Sequence, residues 1–188
     1  MATDQIEALL KVVAVLERLN IPYVVGGSYA SSVHGIVRAT KDIDLLAAIK
    51  PEQAKEFADS LQDEFYADEQ AIMRAVRARQ HFNIIHLDSM FKIDFFIAKP
   101  IAFHEKQMER RRLEPVGIDA PQSVYVTTSE DTILAKLVWY RKGNEVSDQQ
   151  WRDILGVIRV QGDKLDLEYL RRWAAELGVA DLLLRAME

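Results

Sequence analysis

The sequence contains no cysteine, which removes disulfides, thiolate metal sites and cysteine nucleophiles from consideration. No apolar run approaches the roughly 20 residues of a membrane-spanning helix, and the start, Met1-Ala2-Thr3-Asp4, lacks the basic residues of a secretory signal. The expected home is the cytoplasm, with no membrane partner. Positive charge is in deficit: 24 Lys and Arg against 29 Asp and Glu give a net charge of -5, which argues against a protein whose main work is coating nucleic acid. Histidine is scarce. His34, His81, His86 and His104 are scattered without metal-ligand spacing, so each reads as structural. Neither a P-loop, Gly-x-x-x-x-Gly-Lys-Ser/Thr, nor a Gly-x-Ser-x-Gly nucleophile motif occurs.

What is present is a chain of 188 residues with 49% apolar content, enough for a real core in one domain or one domain with a helical appendage. Its centre is the stretch Val24-Val25-Gly26-Gly27-Ser28, followed by Arg38-Ala39-Thr40-Lys41-Asp42-Ile43-Asp44. Residues two apart on a strand share a face, so Asp42 and Asp44 point the same way with backbones roughly 6 to 7 Å apart. Like charges at 4 Å in a partly screened site repel by about 4 kcal/mol, so such a pair calls for a cation. Oxygen-only ligation favours Mg2+ or Mn2+ over zinc. Gly26 and Gly27 let an anionic phosphate approach backbone amides at the next helix start, where Ser28 is placed to cap the helix and touch a phosphate. The plainer reading of the two aspartates is a cap or turn at the head of a strand. Arg38 is either a phosphate contact or a solvated loop residue.

A third aspartate lies in a later apolar strand, Phe91-Lys92-Ile93-Asp94-Phe95-Phe96. Gly26-Gly27-Ser28, then Asp42-Ile43-Asp44, then Asp94 resembles the pattern of the polymerase-β-like nucleotidyltransferases, and is most similar to the small bacterial AbiEii-type and minimal nucleotidyltransferase branch. The resemblance covers about Tyr23 to Ile97 and continues more weakly to Asp153. It implies that Asp42, Asp44 and Asp94 hold Mg2+ or Mn2+ and do the catalytic work. It further implies that Gly26, Gly27 and Ser28 bind the triphosphate of an NTP, with Arg38 and Thr40 in the adjoining loop. A basic residue of a later helix should approach the triphosphate, Lys136 fitting best and Arg141 second, with Asp153 to orient one of them.

The remaining pattern alternates strands and helices and then turns wholly helical. An amphipathic helix runs to Asn20, a strand covers Tyr23 to Val25, and a two-turn helix spans Ser28 to His34 with Gly35 as its cap. Asp42 to Ile49 is a strand, Pro51 to Leu61 and Gln70 to Arg79 are helices, and His81 to His86 with Phe91 to Ile97 form a hairpin. A helix from Ala102 to Arg112 carries Lys106, Arg110, Arg111 and Arg112, which is either a solvated face or a dock for a polyanionic acceptor. Leu113 to Val126, with Gly117 and Pro121, is turn-rich and ends in an edge strand, Ser123 to Val126. Four helices follow from Thr128.

The expected fold is a mixed α/β sheet of about five strands with flanking helices, a nucleotidyltransferase core over 1–126 and a helical subdomain over 127–188 packed on the cleft. The implied reaction moves an NMP from an NTP to an acceptor hydroxyl with release of pyrophosphate. The branch resembled includes tRNA-modifying toxins, antibiotic-modifying enzymes and protein-modifying members. RNA, protein and small-molecule acceptors therefore all stand, as does an antitoxin partner. The alternative is a non-catalytic nucleotide- or partner-binding protein on the same scaffold.

Overall fold

A computed structural model describes residues 3–116 and 122–188. Its seven strands are β1 (Tyr23–Val25), β2 (Asp42–Ala47), β3 (Phe65–Tyr66), β4 (His81–His86), β5 (Lys92–Ile97), β6 (Arg112–Pro115) and β7 (Ser123–Val126). They form one mixed sheet in the order β3-β4-β5-β2-β1-β7-β6. β2 and β5 run parallel at its centre, β1 is antiparallel to β2 and parallel to β7, and β4-β5 and β6-β7 are antiparallel pairs.

Alternation decides which face of this sheet is core. In β2 the side chains of Ile43, Leu45 and Ala47 are buried, and in β5 those of Ile93, Phe95 and Ile97; the intervening residues are only half-buried. The buried face meets α1 (Thr3–Arg18), α3 (Ala54–Asp59) and α4 (Glu69–Ala78) in one apolar cluster, where Phe82 and Phe95 stack at 4.8 Å. α1 fits there because Leu9, Val12, Val13 and Leu16 recur at the helical period and are buried together.

The other face is overlooked by helices. α2 (Gly27–His34) packs on β2 and against α6 (Ser129–Lys142) and α7 (Asp148–Gln161). A Cβ on Gly35 would lie 2.8 Å from the Val157 amide nitrogen, so glycine is what lets the end of α2 touch α7. Together with α8 (Leu167–Glu176) and α9 (Ala180–Met187), these helices enclose a second cluster that includes Leu134, Leu137, Ile154, Leu170 and Trp173. Side-chain caps set the helix starts: Thr128 for α6, Ser147 for α7 and Asp166 for α8.

Some boundaries differ from the sequence expectation. The sheet has seven strands because two short ones, β3 and β6, were not distinguishable from loop. α5 (Ala102–Arg110) stops where Arg111 turns extended (φ -52, ψ 146), so Arg112 starts β6 rather than ending the helix. β6 takes the sheet edge, where Pro115 is tolerated, and β7 lies one place inside it. Pro51–Gln53 is a 3-10 turn leading into a short α3. Ser28 is the second residue of α2, not its cap; Gly26 holds that position with no side-chain cap. The turn expected around Gly117 and Pro121 lies outside the described residues. Among the described residues no helix is long and apolar enough to cross a membrane.

Phe95 is fully buried against Phe57 and Phe82. Phe95→Ala is expected to lower stability by about 3 to 5 kcal/mol, read as a shift of the urea midpoint; a loss below about 1 kcal/mol would show that this cluster does not hold the sheet.

Candidate active site

Parallel pairing of β2 with β5 places Asp44 opposite Asp94 and Asp42 opposite Lys92. Neighbouring strands lie about 4.8 Å apart, so the three aspartates share one end of the half-buried face. The consequence is electrostatic. Burial first, then the charges of Asp42 and Asp94, push the Asp44 carboxyl up to about 6, while Lys136 and Lys92 pull against the shift.

The glycine turn closes directly on this group. The Gly26 amide donates to the Asp44 carbonyl (2.9 Å), and Gly27 adopts φ +58, a left-handed conformation suited to glycine. A Cβ on Gly27 would lie 1.8 Å from Asp44 Oδ2. A side chain there would displace the carboxylate.

Two sets of cations answer the aspartates. Lys92, on the same face of β5 as Asp94, brings its Nζ within 2.6 Å of Asp94 Oδ2; that hydrogen bond, helped by the charges of Asp94, Asp42 and Asp44, raises its pKa. The second set is built on Asp153 of α7. Arg38 reaches it with two parallel bonds, Nε to Oδ1 and Nη2 to Oδ2, both 2.9 Å. Lys136 of α6 donates to Oδ2 at 2.8 Å and Gln149 to Oδ1 at 2.9 Å. Burial alone would raise the Asp153 pKa; the bonds from Arg38 and Lys136 outweigh it and hold the carboxylate below its usual range. Arg38 Nη2 also donates to Ser28 Oγ (2.6 Å), so the glycine-serine turn, the loop before β2 and two helices are joined by one hydrogen-bonded unit.

The structure therefore brings together Gly26, Gly27, Ser28, Arg38, Asp42, Asp44, Asp94 and Lys136. Thr40 sits beside them but donates to the Asp42 carbonyl (2.7 Å), which holds the head of β2. Arg141 is not with the group. Five residues beyond Lys136 it points to a different side of α6, where it pairs with Asp181 (2.6 Å) and Glu145 (3.0 Å). Three members of the basic cluster in and just after α5 are also engaged within the chain: Lys106 with Glu109, Arg110 with Glu130 and over the Tyr169 ring, Arg111 over the Tyr125 ring; Arg112 is exposed on β6. Lys92 and Gln149 were not singled out from the sequence. Lys92 could have been, since it stands two residues before Asp94 and strand period puts both on one face.

Three hard-oxygen donors with excess negative charge fit a small divalent cation in chemistry. As the side chains stand, no group of three His, Cys, Asp or Glu among the described residues is gathered to hold one. Lys92 supplies the counter-charge to Asp94.

A mixed sheet with paired carboxylates beside a glycine turn, backed by a helical bundle, is the architecture of the polymerase-β-like nucleotidyltransferases, and the chain is a nucleotidyltransferase. Residues 8–110 match the family described as aminoglycoside-2''-adenylyltransferase, and the chain belongs to that family. No curated protein matches it at a significant level. Among solved structures it is similar to the solution structure of the antibiotic-resistance factor ANT(2'')-Ia (17% identity, TM-score 0.62, covering 98% of this chain and 97% of that one). It is also similar to ANT(2'')-Ia in complex with adenylyl-2''-tobramycin (15%, TM-score 0.55, 93% and 97%). A third is the lincomycin-bound lincosamide antibiotic adenylyltransferase LnuA (10%, TM-score 0.50, 85% and 98%). At these identities the likeness is one of fold.

The raised Asp44 pKa fixes the sign of a pH effect. Its protonated form is favoured in the fold, so its contribution is fully present below the ordinary value of 3.8 and is lost as pH rises through about 6. In EDTA, Asp44→Asn is expected to melt higher than the parent chain at about pH 7.5, with the gain shrinking toward pH 4. A difference in melting temperature that does not change between those pH values would contradict the assignment.

Proposed function

We propose that this chain transfers a nucleoside monophosphate, with ATP as donor, to a hydroxyl of a small-molecule acceptor in a divalent-metal-dependent reaction that releases pyrophosphate. The observation that carries the reading is the in-register pair Asp44 and Asp94 beside Asp42, closed by the Gly26-Gly27-Ser28 turn. The acceptor oxygen forms a bond to the α-phosphorus and the bond from that phosphorus to the β-phosphate oxygen breaks. The acceptor proton passes to Asp94, the carboxylate on the outer of the two strands.

Asp42, Asp44 and Asp94 would hold Mg2+ or Mn2+, which when bound neutralises triphosphate charge. Gly26 and Gly27 leave room for phosphate oxygens at the start of α2. Arg38 and Lys136, held by Asp153, present positive charge on the opposite wall. Positioning and fixed charge supply the rate, as is general for phosphoryl transfer.

A small-molecule acceptor is preferred to RNA or a protein partner because two of the three arginines that argued for a polyanion, Arg110 and Arg111, are engaged within the chain. The family name and the antibiotic-bound neighbours support an antibiotic-like acceptor. Neither the engaged Arg110 and Arg111 nor these neighbours lend weight to a toxin role with an antitoxin. We place the chemistry on residues 1–126, with 127–188 closing the cleft, in the cytoplasm where nucleotide is abundant.

The test is pyrophosphate release from Mg-ATP across a panel of hydroxylated antibiotics. Asp42→Asn and Asp94→Asn are each expected to lower turnover by about 100-fold or more with an unchanged circular dichroism spectrum. Nucleotide binding without transfer to any acceptor would favour the non-catalytic alternative.

A further inference from the structure

We propose that the aromatic face formed by Trp139, Phe96 and His81 is the acceptor subsite, and that it takes a hydroxyl compound with a flat or apolar ring face and not a polycation. This rests on the reading of Asp94 as the carboxylate that meets the acceptor.

Trp139 is 46% exposed, whereas Trp173 is 4% exposed in the helical cluster. It stands three residues after Lys136, so the two share a flank of α6. That flank overlooks the carboxylate face: Lys136 acts on Asp44, and the Trp139 ring meets Phe96 edge-on at 5.4 Å. Phe96 follows Asp94 by two residues on the same face, about 7 Å along the strand. Its ring also lies 6.0 Å from that of His81 on β4. A hydroxyl presented to Asp94 therefore carries its own ring, or the neighbouring one, onto Phe96 and Trp139, where offset or edge contacts favour a flat or apolar surface.

Charge separates the acceptor classes. Lys142 Nζ lies 5.0 Å from the Trp139 ring centroid, so the cation that an indole face attracts is already supplied by the chain. Lys92 stands at the other end beside Asp94. The strand positions between them, Asn83 opposite Asp94 and His81 opposite Phe96, offer no carboxylate. An acceptor with several ammonium groups meets two lysines here, and at these described strand positions the carboxylate it meets is Asp94.

The experiment is saturation-transfer difference NMR on the full chain with Mg2+ and α,β-methylene-ATP, using 4-nitrophenyl β-D-glucopyranoside, lincomycin and tobramycin as probes. The aryl glucoside and lincomycin are expected to bind more tightly than tobramycin. Trp139→Ala is expected to weaken them about tenfold, with Trp139→Phe restoring most of the affinity. Nucleotide affinity and melting temperature should stay those of the parent chain. Tighter binding of tobramycin, binding indifferent to Trp139→Ala, or no binding by any probe would overturn the proposal. A Trp139→Ala loss confined to the nucleotide would overturn it too, because the shelf would then hold the base. Failure of the parent chain to bind the nucleotide would instead remove the underlying reading of the site.

Discussion

Parallel pairing in one register sets three carboxylates side by side, and much of what surrounds them answers the repulsion that follows. A one-residue slip of β5 against β2 would send Asp94 into the core and Phe95 into the cleft, so burial of Ile93, Phe95 and Ile97 enforces the polar arrangement. The site's geometry is thus a by-product of hydrophobic packing on the far side of the sheet. Gly27 then fixes where the Asp44 carboxylate can stand, because a larger residue would occupy the same space.

Asp153 does for the cations what the sheet does for the aspartates. Four hydrogen bonds converge on its two oxygens, from Arg38, Lys136 and Gln149, in a site where its side chain is 7% exposed. A buried carboxylate of this kind is destabilising if left alone and tolerable when fully bonded. Its effect is to hold Arg38 and Lys136 in fixed places, with Arg38 also reaching Ser28. The wall carrying Arg38 and Lys136 is ordered by a residue that faces its own partners.

Much of this was legible in the sequence, and the limits have physical causes. The strand Tyr23–Val25, the hairpin, the switch to helices at Thr128 and the face shared by Asp42, Asp44 and Asp94 follow from period and turn chemistry, which act locally. β3 and β6 escaped because β3 has only two residues and β6, Arg112-Leu113-Glu114-Pro115, is mostly exposed, charged and closed by proline, without the β-branched or aromatic residues that mark β1 and β7. Lys136 fitted the triphosphate-facing position best and Arg141 second, yet as basic residues of one helix both stood as candidates. Only the packing of α6 on α7 shows which side faces Asp153 and which faces Asp181. Arg110, at the end of α5, read as part of a solvated face or a dock for the same reason: Glu130 and Tyr169, which engage it, are 20 and more residues away.

The family match ends at residue 110, yet Lys136 and Asp153, which complete the charge arrangement, lie beyond it. The N-terminal segment is therefore not an interchangeable module. Grafting it onto a foreign helical bundle would carry over the aspartates and glycines while leaving the Arg38 guanidinium without its Asp153 anchor.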